Sequence, residues 1–64
     1  MSIDQAENVI RKYALQNAVF FNGKASPKAV AGKVLGECPE LRSRSAEVLP
    51  MVNDIVAEVN SLDL

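Results

Sequence analysis

Sixty-four residues allow one small domain, near the size below which an apolar core alone cannot hold a chain together. With 48% apolar and 23% charged residues the chain is globular in composition, and its net charge of −1 argues against a general nucleic-acid binder. The absence of histidine removes any imidazole base, metal ligand or pH switch, and the single cysteine, Cys38, excludes an internal disulfide and a multi-cysteine zinc site.

The first expected element is a helix over about 3–21. Ser2 followed by Gln5 three positions on is a capping-box signal. Ile3, Ala6, Ile10, Tyr13, Ala14, Phe20 and Phe21 fall in a sector of roughly 120° at helical spacing, which defines a buried face. Asn22-Gly23 stops the helix, because glycine enters the left-handed conformation cheaply. Asn17 sits inside the apolar sector, where an unpaired amide is costly, so it is expected to bond a nearby turn. Leu15 and Val19 share the opposite side, as exposed apolar surface or as a contact with another body.

A second helix is expected over about 27–35, opened by the capping hydroxyl of Ser26 and by Pro27 at the first helical position. Val30, Ala31, Val34 and Leu35 form its apolar side, and Gly36 is the expected stop. Gly32 within this helix costs about 1 kcal/mol relative to alanine, to be repaid by close helix packing or by room for a ligand. Cys38-Pro39 breaks the chain before a short helical turn over about 39–42; nothing there marks the thiol as reactive.

The third helix, over about 44–62, carries the strongest pattern. Val48, Leu49, Val52, Ile55, Val56, Val59 and Leu62 span a sector of about 140°, facing away from Glu47, Asp54, Glu58 and Ser61. Their spacing is helical in spite of the β-branched composition, and Pro50 on the polar side is expected to kink the helix without ending it. Leu62 and Leu64 close the sequence on apolar residues with no stop signal, the pattern expected of a piece of a longer chain. The expected fold is all-α: a small three-helix bundle, with a short extra helical turn between the second and third helices.

Charge is segregated along the chain. Residues 1–10 carry −2, residues 11–44 carry all seven cations for a balance of +5, and residues 45–64 carry −4. Without histidine no Ser–His or Cys–His pair can form, the carboxylates are scattered, and no glycine-rich phosphate loop occurs. The one anion-binding arrangement is Gly23-Lys24-Ala25-Ser26-Pro27-Lys28, which sets two lysines around a helix start. Lys24, Ser26 and Lys28 are the candidates to hold a phosphate, with Lys33 one turn on and Arg11, Lys12, Arg42 and Arg44 as flank. Leu15, Val19, Phe20 and Phe21 are the candidates for a protein contact.

Several segments in register resemble the extreme N-terminal region of archaeal-type glutamyl-tRNA synthetases. They are Arg11-Lys12-Tyr13-Ala14-Leu15-Gln16-Asn17-Ala18, Gly23-Lys24-Ala25-Ser26-Pro27-Lys28-Ala29-Val30, Gly32-Lys33-Val34-Leu35-Gly36-Glu37, Glu40-Leu41-Arg42 and Val52-Asn53. The stretch from Gly23 to Leu35 is also similar to the tail domain of tRNA-dependent amidotransferases that make glutaminyl-tRNA. Two departures stand out: Ser26 where the family carries Asn or Asp, and Phe20-Phe21 where it is often more polar.

The resemblance implies a parent that uses ATP and Mg²⁺ to attach glutamate to tRNA. Those steps belong to a catalytic domain with HIGH-type and KMSKS-type motifs, neither of which occurs in these 64 residues. The chain is accordingly expected to be a non-catalytic appended domain holding no cofactor of its own. Its implied partners are tRNA, weakly and through the parent enzyme, and the parent's catalytic domain; its expected place is the cytoplasm, with no membrane contact. A protein-docking module is the alternative reading.

Overall fold

The computed structural model describes residues 2–62, so the expectations attached to Asp63 and Leu64 lie outside the described residues. Three helices, α1 (Ile3–Phe20), α2 (Pro27–Glu37) and α3 (Ser45–Ser61), pack pairwise, and a 3-10 helix (Pro39–Arg44) joins α2 to α3. The result is the all-α three-helix bundle that the periodicity demands, short turn included.

Each start follows from its sequence. Gln5 N–H donates to Ser2 Oγ at 3.2 Å while Ser2 N–H donates to Gln5 Oε1 at 2.9 Å, a reciprocal cap on α1. Ser26 Oγ accepts from Ala29 N–H at 3.4 Å, and Pro27 occupies the position where a missing N–H does no harm. Asn22 (φ 58°) and Gly23 (φ 93°) reverse the chain after α1, with Gly23 N–H reaching back to the Ala18 carbonyl at 2.6 Å.

The core is a valine face on a stripe of small residues. Ala6, Ile10, Ala14 and Ala18 recur every fourth position on α1 and are wholly buried. They let α1 lie close to Val48, Val52, Ile55, Val56 and Val59 of α3, with Val30 and Val34 of α2 filling the third side. Leu41, 1% exposed, plugs one end from the 3-10 helix, and Arg42 Nε–H donates to the Leu35 carbonyl at 3.1 Å, satisfying an end group of α2. Pro50 lies within α3 on its exposed side, and the helix continues past it.

Five residues depart from the expected pattern. Phe20 and Phe21 leave the core: they are 79% and 52% exposed, with ring centres 4.9 Å apart in an edge-to-face pair. Phe20 lies at the margin of the α1 sector and Phe21 falls beyond the last helical residue, so Ala18 takes the final core position. Leu49 and Leu62, the outermost members of the α3 sector, are exposed for the same reason. Gly36 does not stop α2, which runs on to Glu37 before the Cys38-Pro39 break.

Gly32 is not a packing glycine. A Cβ placed there would meet nothing within 4 Å.

Candidate functional site

The loop between α1 and α2 is held by two amides. Asn17 Oδ1 accepts from Ser26 N–H at 2.8 Å, the turn contact expected of that side chain. Asn60, on the last turn of α3, accepts from Ala25 N–H at 2.7 Å and donates from Nδ2 to the Ala25 carbonyl at 3.0 Å. These bonds fix the start of α2 and take up the N–H groups of Ala25, Ser26 and Ala29. Ser26 gives its N–H to Asn17, Pro27 has none, and Ala29 gives its own to Ser26 Oγ. What is left for an anion at this entrance is the Lys28 N–H, which has no partner among the described residues, and the side chains of Lys24 and Lys28, both exposed.

The other cations are dispersed, and most have partners. Arg11 donates to Glu7 Oε1 at 3.2 Å and meets Glu58 Oε1 at 3.1 Å, tying α1 to α3; the hydrogen bond to Glu58, then that to Glu7, raise its pKa further. Lys33 pairs with Glu37 at 3.2 Å and Arg44 with Glu47 at 2.9 Å. Arg42 bonds backbone. Among the described residues, Lys12, Lys24 and Lys28 have no carboxylate within salt-bridge distance.

Lys28 and Lys33 do not converge. Five helical positions place them about 140° apart around α2. Lys28 borders the groove against Leu49, Val52 and Asn53 of α3, whereas Lys33 borders the opposite groove, against α1. What the fold does bring together is Lys33 and Lys12, each ammonium 5.8 Å from the centre of the Tyr13 ring.

The apolar candidates are all at the surface. Leu15 is 37% and Val19 76% exposed, and together with Phe20 and Phe21 they occupy the last turns of α1 and the start of its loop. Asn60 ties the end of α3 to that loop, which puts exposed Leu62 at the same end of the bundle.

Among the described residues no group of three His, Cys, Asp or Glu is placed to hold a metal. Cys38 is a buried member of the core. No described helix is long and apolar enough to cross a membrane.

This geometry defines a small all-α module with open surface grooves. No family model and no solved structure matches the chain. Curated proteins do: it is homologous to a segment of archaeal glutamate–tRNA ligases. The ligase of Pyrococcus abyssi is 58% identical over 60 residues, which is 94% of this chain and 10% of that protein. Those of Thermococcus kodakarensis (56% over 62 residues, 97% and 11%) and Methanocaldococcus jannaschii (53% over 58 residues, 91% and 10%) are similar. The chain spans about a tenth of the length of the curated relatives it matches.

Proposed function

We propose that this chain is the non-catalytic N-terminal domain of a cytoplasmic glutamate–tRNA ligase and adds weak phosphate contacts to the enzyme's grip on tRNA. The observation that supports this reading is the pair Lys24 and Lys28, exposed and without a carboxylate partner among the described residues, beside a start of α2 that the chain itself holds rigid. Two or three cations give weak, salt-sensitive binding in isolation. Attachment to a catalytic body that supplies effective concentration makes such a contact useful.

The test is a titration of the isotopically labelled chain with tRNA at low and at higher salt. Amide shifts at residues 24–28 that fade with salt, and that a Lys24→Glu/Lys28→Glu variant abolishes, are the expected result. Shifts absent at low salt, or unchanged in that variant, overturn it.

A second reading has its own observation. Leu15, Val19, Phe20, Phe21 and Leu62 are exposed together at one end of the bundle, as in a docking module that packs on the ligase's catalytic domain. It predicts amide shifts confined to 15–21 and the end of α3 when the catalytic domain, not tRNA, is added.

A further inference from the structure

A groove of about 300 Å³ runs between α1 and α2 on the Lys33 side. Tyr13, Gln16, Asn17 and Phe20 line it from α1, at i, i+3, i+4 and i+7, and Ala29, Val30 and Lys33 from α2. We propose that this groove binds one unpaired nucleotide of a single-stranded RNA. The proposal rests on the tRNA reading above and assigns it a site away from Lys24 and Lys28.

Each part of a nucleotide meets a matching group. Phe20, 79% exposed, offers an open ring for a base to stack on. The Gln16 amide and Asn17 Nδ2 have no hydrogen-bond partner among the described residues, because Asn17 spends only its oxygen on Ser26. Free amides of this kind read the edges of a base that has left its helix. Lys33, whose ammonium stands over Tyr13 together with that of Lys12, supplies charge for the phosphate. Its pairing with Glu37 joins two side chains that are both more than half exposed, so it yields readily to a stronger anion.

The lining also speaks against an apolar protein segment. Among the described residues no carboxylate lines this groove, whereas Glu7, Asp54 and Glu58 line the one between α1 and α3. An apolar occupant would cover the half-buried Asn17 amide N–H without giving it a partner, which is costly.

The chain has one tyrosine and no tryptophan, so its fluorescence reports on Tyr13 in the groove wall. The experiment adds a short single-stranded oligoadenylate, a blunt RNA duplex and tRNA separately, with free tyrosine amide correcting for absorbance, and follows the Gln16 and Asn17 side-chain amides by NMR. The oligoadenylate is expected to quench Tyr13 and shift both amides; the duplex is expected to do neither. Phe20→Ala, at a position outside the core, should weaken oligoadenylate binding about 5-fold or more with helicity unchanged, and Lys33→Gln should weaken it further at low salt. Salt-sensitive tRNA binding with Tyr13 and both amides unmoved, or equal affinity in Phe20→Ala, overturns the groove while leaving the Lys24/Lys28 contact standing. Equal quenching by the duplex overturns the single-strand assignment. No binding of any RNA at low salt overturns both readings.

Discussion

Asn60 and Ala25, 35 positions apart in sequence, hold each other by two hydrogen bonds, amide oxygen to backbone N–H at 2.7 Å and amide N–H to backbone carbonyl at 3.0 Å. This pair sets where α2 begins. The neighbouring N–H, that of Ser26, goes to Asn17, so two helices grip successive residues of a single loop.

Asn60→Ala removes both bonds and leaves the part-buried polar groups of Ala25 without partners. A loss of about 2 kcal/mol is expected, read as a lower urea midpoint with an unchanged m-value and as faster hydrogen exchange at Ala25.

Because Asn17 and Asn60 secure adjacent N–H groups, their removal should not add. Asn17→Ala alone is expected to cost about 1 kcal/mol. The double variant should lose less than the sum, with a coupling of about 0.5 kcal/mol or more in a double-mutant cycle.

Gly32→Ala should stabilise the chain. The position is helical and exposed, with open space where the methyl would go, and alanine gains about 1 kcal/mol there. Calorimetry should show Tm higher by about 4–8 °C. Gly23→Ala should do the reverse, since φ there is +93°.

The cations should separate by partner. Lys24→Glu/Lys28→Glu should flatten the dependence of log affinity for tRNA on log salt by about 1–2. Arg11→Gln, at a residue already committed to Glu7 and Glu58, should leave that slope as it is.

Helix number, helix type and most of the core were legible because one periodicity governs each segment. The Val48–Val59 face and the Asn17 turn contact needed only spacing and the cost of an unpaired amide. Phe20 and Phe21 show the limit: a wheel ranks residues by angle, but the chain turns away after Phe20 and no element reaches far enough to cover the rings. Ala18 was missed as core because it lies one helical step, about 40°, beyond Ala14 and outside the apolar sector, and Ala25 and Leu41 because a loop or a 3-10 turn carries no α-helical periodicity.

At the candidate site, the Lys24–Lys28 neighbourhood follows from sequence order alone. The distribution of the other cations does not, because pairing with Glu7, Glu37, Glu47 and Glu58 depends on which helix faces which. The lined groove left a trace that a search for apolar stripes passes over, an aromatic–amide–amide–aromatic stripe at positions 13, 16, 17 and 20.

The buried stripe of α1 has a practical consequence. Three of its four members, Ala6, Ala14 and Ala18, are already alanine, so a conventional truncation scan would read the central seam of the bundle at Ile10 alone. Enlargement interrogates the other three positions. Ala14→Leu should wedge α1 away from its neighbours and cost about 1–3 kcal/mol, exposing by excess a dependence that deletion cannot detect.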